Sequence, residues 1–359
     1  MRNNCKIYHS KFLYIFFIFL SLIIFFFSTK NVQGKPFEID NIEISRPFEI
    51  NFDKNKVLDD GFKKAFSELI LLIVKSEDQN KISQTKLNEI KGMIDSFSIK
   101  EEEFINEIYF VNLGVSFNKK KVFSFLEKKN IFPTTPLNKK ILFIPIIIDE
   151  NKKDLLIFSN NKIFDEWNTI VHNYHLLDYI LPAEDLEDLN LVKKKYDIIE
   201  QYDFKEITNK YNLKDSIIAL LFKKENEVRI LSRISINDDT ILKNLTFSKI
   251  DISNTKDIKN IIENLKIVYE DHWKNLNQIN TSIKLQLKIK IKSLDNLKIS
   301  KFERISKATD LIYDFFVIKF DQDFVYYQII FNGTPDNFLK IMLKSDLNFD
   351  TQNKVWILK

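Results

Sequence analysis

Apolar residues recur along the chain with two periods, one typical of helices and one typical of strands. Between residues 58 and 73 they follow helical spacing, which predicts an amphipathic helix. A second helical stripe is predicted over residues 87–97. Residues 109–117 alternate between apolar and other side chains, which predicts a half-buried strand. Pro133 and Pro136 then mark a boundary.

The middle of the chain opens with a continuous apolar run at residues 141–148, which predicts a strand buried on both faces. We predict a helix over residues 164–174. Apolar stretches at residues 216–222 and 229–236 flank turn residues and predict a hairpin. A closing helix is predicted over residues 258–276. This pattern indicates a mixed sheet with helices packed on it.

The last eighty residues predict the order β-α-β-β-α-β. Apolar and mainly basic residues alternate over residues 283–292, as on a strand with one buried and one solvent face. Thr334 and Pro335 have the residue types of a helix N-cap and first turn. The order is that of a split βαβ, ferredoxin-like unit.

We therefore predict an α/β and α+β fold class, with mixed sheets and packed helices. The predicted domains are an N-terminal α/β domain at residues 35–136, a central α/β domain at residues 137–280 and a C-terminal ferredoxin-like domain at residues 281–359.

Residues 1–34 have the three zones of a signal peptide. Basic residues such as Lys6 and Lys11 precede an apolar run at residues 12–27, and a polar segment then leads to Gly34. The run is shorter than the ~20 residues of a typical membrane-spanning helix. We expect cleavage after Gly34 and a periplasmic chain. The alternative is an uncleaved signal anchor in the inner membrane, which would contact the membrane only through residues 12–27.

Charge and cysteine content narrow the possible partners. The chain has 54 Lys and Arg and 50 Asp and Glu, and the first 34 residues hold four of the basic residues and no acidic one. The exported part is therefore balanced, without the positive field that nucleic acids require. We expect no nucleic-acid partner. The single cysteine, Cys5, lies in the leader, so the exported part can form no disulfide.

Two polar groups could carry metal or acid–base chemistry. His172 and His175 are three residues apart on the predicted helix and could hold a metal if Asp178 or Glu184 came near. The alternative is a pair of surface or helix-end histidines. The acidic loop at residues 184–188 could bind a cation or act in acid–base catalysis, or it could simply begin a helix.

These groups define an enzyme hypothesis, a metal-dependent hydrolase without a further cofactor. Its candidate residues are His172, His175, Glu184, Asp185, Glu187 and Asp188. The isolated glycines form no phosphate loop, dinucleotide fingerprint or nucleophile elbow.

A row of lysines on the predicted strand at residues 283–292 could contact anionic lipid or lipopolysaccharide. Its members are Lys284, Lys288, Lys290 and Lys292. The alternative is the solvent face of a sheet, where lysines also discourage aggregation.

Short segments resemble a known family through their order along the chain. They are residues 62–73, 141–148, 181–182 with 185–188, Tyr211 before the strand at 216, 270–274, 331–333 and 356–358. In this order they resemble the Gram-negative secreted proteins known as domain of unknown function 2066, over nearly the whole exported part. The chain has less Gly, Ala and Arg than is usual there. That family is similar in element order to the amino-terminal domains of periplasmic envelope proteins of the TolB type, and this similarity implies a binding or assembly role. The family itself carries no assigned activity.

We therefore predict a non-enzymatic envelope protein that acts through contacts with other envelope proteins. The metal-dependent hydrolase and a membrane-anchored, lipid-contacting protein are the alternatives.

Overall fold

The computed structural model describes residues 37–158 and 160–359, and residues Ile39–Lys359 form one compact unit. Three sheets with packed helices make up this part, which confirms the predicted fold class. Each sheet draws its strands from one of the three predicted segments, while the exact domain boundaries stay a prediction. The predicted signal peptide lies outside the described residues.

The first sheet has the order β1-β3-β2 and is covered by the helix α1. Its elements are β1 Glu38–Pro47, α1 Lys54–Ile73, α2 Ser76–Gln79, α3 Leu87–Met93, β2 Ile94–Ile105, β3 Ile108–Phe117 and α4 Lys119–Lys128. Asp53 caps α1 by accepting the N–H of Asn55. Gly61 lets α1 approach β3 closely, because a Cβ there would clash with Leu113 Cδ1.

The second helix predicted in this region ends earlier than expected. It stops at Met93, and residues 94–97 belong to the strand β2 instead. Phe97 and Ile99 pair with residues of β3, and the Phe97 ring lies 5.1 Å from the Phe62 ring of α1. The Phe97 side chain thus contacts α1 from a strand, although its spacing along the chain also suits a helix.

The central sheet has the order β5-β4-β7-β8-β9, with β6 also pairing with β4. Its elements are β4 Lys139–Asp149, β5 Asp154–Leu156, α5 Lys162–Glu166, β6 Leu177–Ile180, α6 Leu186–Lys194, α7 Lys205–Thr208, β7 Ser216–Lys224, β8 Glu227–Ile236, β9 Asp239–Ser248 and α8 Thr255–Leu276. Separate apolar cores lie on its two faces, and β4 contributes to both, as the continuous apolar run predicts.

The strand β9 is absent from the sequence predictions. It follows β8 through Asn237 and Asp238, which both have positive φ (54° and 65°), as in the two-residue turns that favour hairpins. All ten residues of β9 pair with β8 without a bulge. The predicted β7–β8 hairpin thus extends into a three-stranded meander.

The C-terminal sheet has the order β11-β12-β10-β14-β13. Its elements are β10 Leu285–Lys292, α9 Asn296–Ala308, β11 Ile312–Phe320, β12 Phe324–Phe331, α10 Pro335–Leu343, β13 Phe349–Asp350 and β14 Val355–Leu358. The predicted element order is confirmed, as is the N-cap Thr334, which accepts the N–H of Asn337. One strand is added. The short β13 reverses the chain, so that β14 lies parallel to β10.

Candidate functional site

A cavity of about 300 Å³ brings together residues from three parts of the compact unit. Leu71 and Ser76 reach it from the end of α1 and from α2, and α8 supplies its charged wall. The predicted candidates His172 and His175 line the same cavity from the connection between α5 and β6. It is therefore the place where the candidate histidines and buried charges meet.

The two histidines lie on a turn, so the predicted helix over residues 164–174 is wrong in its second half. The helix α5 ends at Glu166 and a single 3-10 turn follows at Trp167–Thr169. Trp167 is fully buried and stacks on Phe143 with ring centroids 3.8 Å apart. The chain thus leaves the helix before His172, and Trp167 is buried in the 3-10 turn at that point.

The histidine turn is packed by its own side chains. The N–H of His175 donates to the carbonyl oxygen of His172 at 3.0 Å, and the two imidazole rings lie 5.1 Å apart. Tyr174 stacks on His172. Burial, together with the nearby charge of Lys266, lowers the pKa of His175 to about 4. His175 is therefore neutral at physiological pH.

A buried row of charges on α8 forms the opposite wall. Lys266, Glu270 and Lys274 are four residues apart and are each at least 96% buried. Residues at this spacing share one face of a helix. The row lies beside the apolar stripe that packs on the central sheet. Charges so deeply buried need partners, because desolvating an unpaired charge costs several kcal/mol.

The partners of this row are backbone groups of neighbouring segments. The Glu270 carboxylate accepts the N–H groups of Leu176 and Leu177 at 2.9 and 3.0 Å. The Lys266 ammonium donates to the carbonyl oxygen of Ile170. The Lys274 ammonium donates to the carbonyl oxygens of two residues at the end of α1, Leu71 and Val74. The row therefore attaches both the histidine turn and the end of α1 to α8.

Burial dominates the titration of these groups. It lowers the pKa of Lys266 to about 8, against the opposing attraction of Glu270. It also lowers the pKa of Lys274 and raises that of Glu270. The Lys266 ammonium lies 5.2 Å from the Trp167 ring centroid and 5.3 Å from that of Tyr179, which favours the cation. The charged groups of this cavity are thus engaged by the chain itself, so their arrangement supports a structural role.

The acidic loop begins a helix, in agreement with the simpler of its two interpretations. Asp185 is the N-cap of α6 and accepts the N–H of Glu187 at 2.8 Å. The Lys210 ammonium lies 2.9 Å from Asp185 and 2.6 Å from the buried Asp188. Asp185 therefore caps the helix and contacts Lys210, and Asp188 forms an ion pair with the same lysine.

The structure does not bring the histidines and the acidic loop into one cavity. His172 and His175 line the cavity at α8, whereas Glu184, Asp185 and Asp188 line two hollows around α6. Among the described residues no group of three or more His, Cys, Asp or Glu side chains is placed to hold a metal ion. The predicted hydrolase has no common site in this part of the chain.

The lysine row lies on the open face of the C-terminal sheet. At one end Lys284 pairs with Glu127 of α4 at 3.0 Å. Lys288, Lys290 and Lys292 form no ion pair with another described residue, and the Lys290 ammonium lies 4.4 Å from the Phe324 ring centroid. Lys284 is thus held in an ion pair, whereas the other three lysines of the row have no ion-pair partner among the described residues.

The sequence patterns contain signals for two further features that are absent from the sequence predictions, the buried charges of α8 and the strand β9. The charges Lys266, Glu270 and Lys274 could have been found by their spacing, since they follow the apolar residues of α8 at intervals of four. The strand β9 could have been found by the alternation of Ile241, Leu245 and Phe247 with polar residues.

Comparisons with known proteins add no relative. No protein-family model matches the chain, and no curated protein matches it significantly. The resemblance to domain of unknown function 2066 therefore stays a prediction. In the part that the structure describes, every helix is too short or too polar to cross a membrane.

Proposed function

We propose that the chain is an exported, non-enzymatic protein of the cell envelope that acts through protein contacts, and that the outer edge of β9 is its contact surface. The observation that carries this proposal is the open edge of the central sheet. All ten residues of β9 pair with β8, and within the described chain no strand pairs with the other side of β9. Such an edge offers backbone donors and acceptors to an added strand.

The edge of β9 is less protected than the edges at β2 and β11. The edge strand β2 has two register irregularities and the acidic run Glu101–Glu103. The edge strand β11 also has two irregularities. Bulges and charges of this kind hinder the addition of a strand. The strand β9 is regular and carries only two charged residues, Asp239 and Lys243.

The side chains of β9 also suit a protein partner. Its inner face, with Ile241, Leu245 and Phe247, packs against the core and holds the strand in place. Leu242 on the other face is 60% exposed. A strand added at this edge would gain backbone hydrogen bonds from the whole edge and an apolar contact from Leu242. The predicted export signal supports a partner in the envelope.

Crosslinking in living cells tests this proposal. Tagged protein is crosslinked in the cell, purified under denaturing conditions, and its covalently attached partners are identified. The edge variant Leu242→Lys/Asn244→Lys adds two charges to β9. We expect it to lose more than 90% of the crosslinked partner, because edge lysines oppose strand addition.

The matched control is Leu294→Lys/Leu297→Lys, which places two charges at residues that are 94% and 86% exposed in the C-terminal part. It should keep the partner at the level of the unchanged protein. Equal recovery of the partner with the edge variant would show that β9 is not the contact surface. A substrate turned over by the purified protein would argue against the non-enzymatic role.

A further inference from the structure

The open face of the C-terminal sheet combines cations and aromatic rings. In the pairing of β10 with β12, Lys288, Lys290 and Lys292 lie opposite Gln328, Tyr326 and Phe324. Directly opposed residues of antiparallel strands point to the same side of a sheet. The lysines and the two rings therefore share one face. The alternate residues of β10, such as Ile289, face the core with Phe302 of α9 and Phe338 of α10.

The edge strand β11, next to β12, extends this face. Phe316 pairs with Gln328, and Lys319 pairs with Tyr326, so both lie on the same face as the lysine row, one strand away from it. Phe316 is 46% exposed. The Lys319 ammonium lies 5.0 Å from the Tyr326 ring centroid. The result is a patch of four lysines and three aromatic residues, which we name the basic aromatic face: Phe316, Lys319, Phe324, Tyr326 and the free lysines of β10.

Only one end of the sheet is covered by the rest of the compact unit. Lys119 and Lys120 of α4 pair with Asp310 and Asp314, at 3.0 and 2.6 Å, near the start of β11. Lys284 pairs with Glu127 at the same end. Beyond these contacts, β11 is exposed from Phe316 to its last residue. The basic aromatic face is thus the part of the sheet that α4 leaves open.

The charge of this face is only partly compensated. Lys319 pairs with Asp321 at 2.9 Å. The three lysines of β10 form no ion pair with a described residue. The face thus combines lysines that lack an ion pair with the half-buried rings of Phe324 and Tyr326 and the exposed ring of Phe316. This combination suits a membrane surface, where cations meet lipid phosphates and aromatic rings enter the interface.

We propose that the basic aromatic face binds the surface of an anionic phospholipid bilayer. Lys288, Lys290 and Lys292 would contact the headgroup phosphates, and Phe316 would enter the interfacial region. A single-stranded nucleic acid is the competing ligand for a basic face with aromatic rings. Stacking of bases requires free ring faces, whereas lysines cover one face of Phe324 and of Tyr326. These cation–ring contacts favour the lipid.

Vesicle flotation tests the proposal with protein that lacks residues 1–34 and retains the whole compact unit. The vesicles contain phosphatidylglycerol and phosphatidylethanolamine, or phosphatidylcholine alone as the neutral comparison. We expect binding only to the anionic vesicles, and its loss at high salt. The variant Lys288→Gln/Lys290→Gln/Lys292→Gln should bind about 100-fold more weakly, given the usual contribution of each lysine near an anionic surface.

The matched control changes three lysines on the helices that cover the other face of the same sheet. The variant Lys307→Gln/Lys340→Gln/Lys344→Gln carries the same change of net charge and should bind as the unchanged protein does. Equal weakening by both variants would show that only net charge matters and would overturn the proposal. So would the absence of binding to anionic vesicles, or displacement of the protein from them by a stoichiometric amount of single-stranded oligonucleotide.

Discussion

Two rows of charged residues in this protein differ in what surrounds them. On α8, Lys266, Glu270 and Lys274 are buried, and backbone groups of other segments meet each of them. On β10, Lys288 and Lys292 are exposed and form no ion pair with a described residue. The first row holds segments of the fold together, and the second leaves its charge available to a partner.

The comparison shows that residue type alone does not assign a role. Lysine occurs in both rows at regular spacing, eight residues apart on the helix with Glu270 midway, and two residues apart on the strand. On the helix the chain supplies carbonyl oxygens that accept hydrogen bonds from the two ammonium groups, and the negative charge of Glu270 attracts both. On the strand the sheet turns its lysines away from the core. Burial and local partners therefore decide whether a charged row is structural.

The largest effect is expected for the central carboxylate of the buried row. The change Glu270→Ala leaves two backbone N–H groups without their acceptor and removes a negative charge that favours the ammonium forms of Lys266 and Lys274. We expect the free energy of unfolding, measured with urea, to fall by about 3–5 kcal/mol. The control Glu263→Ala, on an exposed part of the same helix, should change it by less than about 0.5 kcal/mol. Similar small losses for both would contradict a structural role.

The pH dependence of stability should reveal Lys266. Its pKa is lowered from 10.5 to about 8 in the folded protein, so below pH 8 folding carries the cost of a buried cation. Between about pH 8 and 10.5 the folded protein loses this proton before the unfolded chain does, and stability rises with pH. We expect this residue to contribute a rise of about 2–3 kcal/mol.

The variant Lys266→Met removes that contribution. The difference in free energy of unfolding between the unchanged protein and the variant should therefore depend on pH across this interval. Parallel pH curves for the two proteins would show that Lys266 does not carry the proposed buried charge.

The buried Asp188 provides a second test of the same principle at the start of α6. Lys210→Met removes the only ammonium in contact with this carboxylate among the described residues. We expect a loss of about 1–2 kcal/mol in thermal or urea unfolding, because a buried acceptor is left without its partner. Lys205→Met removes a lysine whose side chain is 75% exposed, and it should have almost no effect. Equal losses would count against this interpretation.

The smallest effect is expected on the exposed row. Lys288→Gln should change the free energy of unfolding by less than about 0.5 kcal/mol, because the side chain is exposed and has no ion pair with a described residue. A loss above 2 kcal/mol would mean that this row supports the fold, and the contrast with α8 would fail.

Helices and strands were predicted correctly from the sequence where the spacing of their apolar residues matches the face that they bury in the fold. The alternation on β10 and the helical stripe of α1 are confirmed because each element buries one face against a single layer. The β-α-β-β-α-β order follows from such elements. The extra strand β13 has only two residues, Phe349 and Asp350, too few to show a period.

The secondary-structure predictions were wrong where the local pattern of residues fits more than one type of element. Ile94 and Phe97 fit a helix, yet they lie on a strand that pairs with β3. The spacing of His172 and His175 also suits a helix, but the helix α5 ends at Glu166 and a 3-10 turn at Trp167–Thr169 precedes them. The cavity itself depends on segments about one hundred residues apart, Leu71, His175 and Glu270. A local sequence pattern does not indicate that these three segments lie together in the fold.

The proposed envelope role depends on export of the chain, so the most direct test is the amino terminus of the protein in fractionated cells. We predict that the protein recovered outside the cytoplasm begins at Lys35, after removal of the apolar run at residues 12–27. Recovery of the protein from the cytoplasm with Met1 and the whole leader in place would contradict the account.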